Sequence, residues 1–532
     1  MKCQKHLKSW SISGANMRCM TMLTANNKFF RIISFIIVLM ITFSVFPIIT
    51  VKAQTPEKVK IGLFYGQSAK DYYTVSSEDG FTISLADDEN STLVFTDSSI
   101  SSLTVKKNTF FSTEYPQIFP DAQTALQKVS ELRAEGKDAY CAVSGSIYTV
   151  RVGTYSTFEE AQASSPGFGN NTVKYTSTGV LILSGDVITI AVDDINRNTE
   201  IASVSGNISL NSVPYRGAIR FVRSNGNDMA AINVLGLEEY LYSVVPKEVS
   251  ASWNEEVLKA QAVAARTFTI TNLNKFKNYG FNLDNTTASQ VYGGVNAEHP
   301  RTTAAVDATK GEIVLYDGKP ASIYYHATSG GKTANSEDVW SAALPYLRSV
   351  EDPYENPDEA SYARWSVTYT KEELKTILSS RGVEIGDIID VTVKHSDGRA
   401  VQLTFIGTSG SKTYSKDNIR VPLSLKSTNF VLTKESPDEK TKQFFADYGN
   451  KGDTSLDSIG SFASSYAEKV IEKSDASSSP QEVKSSSFTF SGGGWGHGVG
   501  MSQWGAKGMA DNGFTYKEIL THYFTGVQVD IY

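Results

Sequence analysis

Leu235-Gly-Leu-Glu-Glu-Tyr-Leu-Tyr-Ser-Val-Val-Pro-Lys-Glu-Val249, followed by Ser252-Trp-Asn-Glu-Glu-Val-Leu-Lys-Ala-Gln-Ala-Val-Ala-Ala-Arg-Thr-Phe268, decides how this chain is organised. Ser252 and Glu255 have capping-box spacing, so a helix is expected from Trp253. Val257, Leu258, Ala262, Ala265 and Phe268 give it an apolar stripe that runs on to about Asn274. Glu248 is then expected in the loop just ahead, with Pro246 stiffening the approach. A loop Glu taken alone is usually a solvated charge, but catalytic side chains also concentrate on loops held by rigid elements. Lys259 lies four residues after Glu255, the spacing of an exposed ion pair. Arg266 has Ala262 and Ile270 at the same spacings, so its partner lies elsewhere: a core carboxylate or a ligand oxygen.

Ahead of this helix the chain alternates apolar and polar residues. Strands are expected at 59–65, 72–75, 92–95, 147–152, 180–183, 187–192, 219–222 and 231–234. Asp121 can cap a helix with apolar Ala125, Val129 and Leu132, ended by Gly136, and a second helix start follows at 156–163. Beyond it, a helix at 371–381 and strands at 388–394 and 401–405 are expected. Residues 434–487, rich in Ser, Asp and Lys, read as a flexible insertion. The fold class is α+β.

The chain has 532 residues, with 50 Lys and Arg against 57 Asp and Glu. Seven of the basic residues and none of the acidic ones lie in 1–53, so the remainder carries −14. Such acidity excludes a polyphosphate partner, and no nucleic acid is expected. Residues 32–51 are twenty uncharged, mostly apolar residues behind Lys28 and Arg31. They are either a cleaved signal peptide, with Val51-Lys-Ala53 as the cleavage site, or a membrane anchor. Pro47 and Ala53 favour cleavage, and Met17, Met20 or Met22 is an alternative start. Either way the body is expected outside the cytoplasm, secreted to the wall or anchored. Cys3 and Cys19 fall in the targeting region, leaving Cys141 alone and no intrachain disulfide.

The opening stretch, together with Ser289-Gln-Val-Tyr-Gly293, Tyr325-His-Ala-Thr-Ser-Gly-Gly-Lys-Thr-Ala-Asn335, Glu337-Asp-Val-Trp340 and Gly494-Trp-Gly-His-Gly-Val-Gly-Met-Ser-Gln-Trp-Gly-Ala506, resembles the stage II sporulation protein D / amidase-enhancer (SpoIID/LytB) domain. The likeness covers most of 173–433 and 488–532. Gly136-Lys-Asp-Ala-Tyr140 and Tyr148–Ser156 resemble part of a SPOR domain, a small α/β module that binds glycan strands lacking stem peptides. Its second half is hard to find, because the chain runs straight into Ser165-Pro-Gly-Phe-Gly. The implied division is a signal or anchor at 1–53, a β-rich region at 54–118, the SPOR-like module at 119–170 and a second β-rich region at 171–235. The core follows at 236–356 and 488–532, interrupted by a mixed, β-rich insertion at 357–433 and the flexible one at 434–487.

The resemblance implies lytic cleavage of peptide-stripped peptidoglycan between N-acetylmuramic acid and N-acetylglucosamine, with Glu248 as the acid. Lys259 and Arg266 match positions associated with activity. One carboxylate suffices where the sugar's own 6-hydroxyl is the nucleophile and a 1,6-anhydro ring the product; hydrolases usually need two. Such a Glu needs a raised pKa, and Trp253, Tyr292 or Trp495 is expected to line its pocket. Gln290, Tyr292, His326, Ser329, His497, Ser502 and Gln503 are the expected glycan contacts. His326 and His497 are equally readable as hydrogen-bonded structural residues. Some family members hold zinc with cysteines beside the His-x-Thr-Ser segment; His326-Ala-Thr-Ser329 has none, so no metal or cofactor is expected. The expected partners are peptidoglycan strands and a cell-wall amidase or sporulation membrane proteins. The alternative is a non-catalytic wall-binding enhancer of an N-acetylmuramoyl-L-alanine amidase.

Overall fold

The computed structural model describes residues 56–88, 90–164, 172–194, 196–223, 229–435 and 487–532. The expected export segment and most of the expected flexible insertion lie outside the described residues. Strands Phe430–Glu435 and Ser487–Gly492 pair antiparallel across that insertion, so each end of it is taken up by a strand. Among the described residues no helix is long and apolar enough to cross a membrane.

The fold is mixed α and β. Residues 58–236 build two sheets from strands distant in sequence. In one, Lys58–Phe64 lies between Leu283–Asp284 and Met229–Gly236, followed by Ala218–Arg223, Asn198–Ser203, Phe81–Ala86 and Ser91–Asp97. The second has ten strands, and its inward residues Val75, Val105 and Ile182 share one core with Val59, Ile61 and Ile83 of the first. Strands Phe81–Ala86 and Ser102–Lys107 add to those expected.

One end of the ten-stranded sheet is a contiguous strand–helix–strand–strand–helix–strand unit. Strand Phe111–Glu114 is followed by helix Ala122–Ala134, strands Ala139–Ser144 and Ile147–Tyr155, helix Phe158–Ala163 and strand Thr172–Lys174. In space the four strands run second, third, first, fourth, each antiparallel to its neighbour. Asp121 caps the first helix by accepting from the Thr124 N–H at 2.7 Å, and Ala125, Val129 and Leu132 are its buried face. Thr157 and Glu160 form a capping box on the second helix, and the strand Thr172–Lys174 follows it. The strand Ala139–Ser144 also pairs parallel with Val187–Val192, making the unit continuous with the larger sheet.

The helix after Glu248 spans Glu255–Thr271, starting two residues later than expected. Asn254 is its cap, accepting from the Glu256 N–H at 3.0 Å, while the Ser252 hydroxyl bonds Ser250 instead. Burial is not confined to a stripe. Leu258, Ala262 and Ala265 enter the sheet core, whereas Val257, Ala260, Val263 and Ala264 enter a second core with Val499, Met501, Ala506 and Ile519. Within 257–269 only Lys259 escapes burial. A helix apolar all round is the axle between two cores. A third core holds Leu374, Leu378, Leu403 and Phe405 with Phe488 and Phe490.

Candidate active site

Glu248 is not in a loop. It is the last residue of a helix, Leu237–Glu248, that continues through Pro246. Pro disfavours a helical residue before it, but burial of Tyr240, Leu241, Val244 and Val245 outweighs that preference. The consequence is electrostatic: a carboxylate at a helix C-terminus faces the negative end of the dipole, which opposes ionisation.

Three donors reach the half-buried Glu248 carboxyl: the Val291 N–H, the Gln503 amide and the Tyr325 hydroxyl. Each favours the anion, yet desolvation is larger and raises the Glu248 pKa above the ordinary carboxylate value. Tyr240 and Tyr325 form the buried wall, and each has its own ionisation pushed up by burial and then by Glu248. The pocket is thus lined differently from expectation. Tyr292 packs on Tyr240 but donates to Asn233 at 2.7 Å, Trp253 packs on Trp504, and Trp495 packs on Tyr362.

Gln290 orients this wall. Its amide nitrogen donates to the Tyr325 hydroxyl oxygen at 2.9 Å, and its carbonyl accepts from Tyr240 at 3.3 Å and Thr269 at 2.9 Å. A Tyr325 oxygen that accepts from Gln290 keeps its own proton for Glu248. Gln503 also donates to Gln261 Oε1 at 3.3 Å, and the buried Gln261 Nε2 has no partner among the described residues. Tyr240, Gln261 and Tyr325 were missed as site residues. The signal was available for Tyr325, which alternates with His326 and so takes the opposite face of its strand.

Arg266 is fully buried and committed to a core carboxylate. Its Nε and Nη2 bind Glu238 at 2.9 and 2.6 Å, and Nη1 and Nη2 donate to the Glu312 and Val306 carbonyls. Glu238 begins the helix that Glu248 ends, so this fork ties the two site helices together. Lys259 pairs with Glu255 at 2.7 Å and Glu256 at 3.0 Å, on its own helix.

Ser329 and Ser502 lie with a second pair of carboxylates. The Ser329 hydroxyl donates to Asp352 at 2.9 Å, as does Tyr523, and the Ser502 hydroxyl donates to Glu355 at 2.6 Å. The backbone N–H groups of Ser329 and Gly330 also donate to Glu355. Burial, and then Glu355, pushes the Asp352 pKa up to about 7. His326 is buried with Nδ1 3.2 Å from the Val499 carbonyl oxygen, and His497 packs 5.5 Å from it, ring to ring. Burial lowers both imidazoles, His497 to about 4, so the pair is neutral at pH 7. Among the described residues no group of three or more His, Cys, Asp or Glu could hold a metal ion.

The strand pair Tyr325–His326 and Met501–Ser502 joins these elements, placing Tyr325 and Gln503 at one carboxyl group and Ser329 and Ser502 at the other pair. The arrangement sets one reachable carboxyl group, its pKa raised by burial, among fixed donors.

The family model for stage II sporulation protein (SpoIID) matches residues 225–316, which include Glu248, Arg266 and Gln290. An uncharacterised protein of Brachyspira hyodysenteriae is 33% identical over 322 residues, 60% of this chain and 73% of the relative. The amidase enhancer of Bacillus subtilis is 32% identical over 62% of this chain and 46% of its own length. Stage II sporulation protein D of the same organism is 29% identical over 56% of this chain and 76% of its own. With the family model falling on the helix pair that follows Gly236, and relatives of these names matching more than half of the chain, the chain belongs to the stage II sporulation protein D / amidase-enhancer (SpoIID/LytB) family.

Proposed function

We propose that this chain is an extracytoplasmic lytic transglycosylase that cleaves peptide-stripped peptidoglycan between N-acetylmuramic acid and N-acetylglucosamine, in wall remodelling linked to sporulation. The observation that carries this is Glu248, a partly accessible carboxyl group whose pKa burial raises while three donors favour its anion. Protonated, it donates to the glycosidic oxygen as the bond to the anomeric carbon breaks. The resulting carboxylate is caught by Val291, Gln503 and Tyr325, then takes the proton of the sugar's 6-hydroxyl as that oxygen closes the anhydro ring. The proton returns to Glu248 and no water is consumed. Arg266 and Gln290 act as positioning residues, one through the helix and one through Tyr325.

The unit at 111–174 has the element order of a small α/β module, which supports its reading as a SPOR-like glycan holder. A second reading, a non-catalytic enhancer of a wall amidase, is favoured by the name of the Bacillus subtilis relative. Incubating peptide-free glycan with wild type and Glu248→Gln, then measuring anhydromuramic ends by mass spectrometry, tests the two. Product from wild type alone supports the enzyme; no product from either protein gives the case to the enhancer.

A further inference from the structure

Trp495 and Tyr362 are 43% and 42% exposed, and their ring centroids lie 4.8 Å apart. Open aromatic pairs on soluble proteins mark binding surfaces. The Lys426 ammonium sits 4.5 Å from the Tyr362 ring centre and 5.9 Å from that of Trp495. Among the described residues, no carboxylate is in ion-pair range of Lys426 or of exposed Arg364. An unpaired ammonium against open aromatic faces, with Arg364 two residues along the chain from Tyr362, offers positive charge on an otherwise acidic protein.

The base of this platform is rigid. Tyr362 has φ of 59°, a left-handed conformation an aromatic residue rarely adopts, and its carbonyl accepts from the Gly494 N–H at 2.9 Å. A side chain on Gly494 would come within 2.8 Å of the Ser329 and Thr328 carbonyls, so the loop lies flat on that strand. Trp495 and Thr328 exchange backbone hydrogen bonds of 2.9 and 3.2 Å. Thr328 is three residues beyond Tyr325, the residue donating to Glu248, a backbone span of at most roughly 11 Å. The platform therefore lies within the reach of one short oligosaccharide from the acid.

We infer that Trp495, Tyr362 and Lys426 form a distal sugar subsite that takes a muramic acid whose lactyl carboxylate is free. The pyranose lies on the exposed Trp495 ring and the carboxylate meets the Lys426 ammonium, a charge-assisted bond that a peptide on the lactyl group would abolish. The inference rests on the glycan reading of Glu248, and deepens it by assigning selection of stripped strands to particular side chains.

The test titrates soluble peptide-free glycan chains, with lactyl carboxylates free or chemically amidated, into Glu248→Gln protein so that no turnover intervenes. The free-acid chain should bind on the order of five- to tenfold tighter than the amidated one. Lys426→Met should collapse that preference towards one. Trp495→Ala should weaken both ligands by up to about tenfold, with Trp495→Phe recovering most of the loss. An unchanged preference in Lys426→Met, or unchanged affinities in Trp495→Ala, would overturn the subsite, as would no measurable affinity for either glycan. The anhydro-product assay is read separately. Product with binding indifferent to Lys426 and Trp495 removes the subsite and leaves the transglycosylase. A preference that collapses in Lys426→Met, without product from wild type, keeps the subsite and removes the transglycosylase.

Discussion

Glu248 and Asp352 both hold their protons above the ordinary carboxylate range, and burial is the first cause in each case. They differ in access. Asp352 is fully enclosed, its oxygens answered by Ser329 and Tyr523, with Gly505 left bare of a side chain where it approaches. Glu248 is half-buried at a helix end, and like Asp352 it faces three donors that favour its anion. A perturbed acid is therefore an active-site signal only when a substrate can reach it.

Exchanging each acid for its amide gives the sharpest contrast. Glu248→Gln should lower anhydro-product formation by ~10²–10⁴-fold, since one group serves as acid and then as base. Its melting temperature should stay close to wild type. Asp352→Asn should act on stability instead. The Asp352 pKa rises from 3.8 unfolded to about 7 folded, so the folded state holds an extra proton across that window. Its contribution is complete below the unfolded value and lost as pH rises through the folded one. Thermal melts of wild type should fall from pH 5 to 8, and Asp352→Asn should flatten that slope. A rate collapse in Asp352→Asn with an unchanged slope would erase the distinction between the two acids.

Arg266→Ala removes a buried fork and leaves Glu238 uncompensated, a loss of about 3–5 kcal/mol measurable by denaturant unfolding. If it instead lost glycan affinity at full stability, its guanidinium would belong to the binding surface. Tyr325→Phe should cost about tenfold in rate, less than loss of the acid itself. It also removes a donor that favours the Glu248 anion, so the alkaline limb of the rate profile, where the acid deprotonates, should move to higher pH. A merely structural tyrosine would leave that limb in place. The smallest expected effect is chelation: dialysis against EDTA should leave the rate unchanged, and activity restored only by zinc would sink that expectation.

Glu248 read alone as a solvated loop charge, and only the resemblance to a family's Pro-x-Glu motif singled it out. The helix after it was legible because its signals are local, an apolar run and one arginine without a neighbour of opposite charge. The end of the preceding helix was not, because Pro246 reads as a break and only packing of Tyr240, Leu241 and Val245 overrides it. The Asp352–Glu355 cluster was also hidden, since Ser329 and Ser502 meet it from 23 and 147 residues away. Sheet order was no more legible: alternation marks a strand, but nothing in residues 58–64 says that they pair with 229–236. The unit at 111–174 was half legible: one cap, one alternating strand and one helix start marked three of its six elements, while strands Phe111–Glu114, Ala139–Ser144 and Thr172–Lys174 carried no such signal.

Glu248 acquires its donors from three stretches of chain, and the last of them, at Gln503, lies 255 positions downstream of the acid. Synthesis delivers those stretches in order, so the acid, its helix and Tyr325 are made before Gln503 emerges. Until then the anion lacks one of its three anchors and Tyr325 lacks its strand partner at Met501. The pocket is therefore finished late, and every shorter length of the chain carries the acid without its full set of donors.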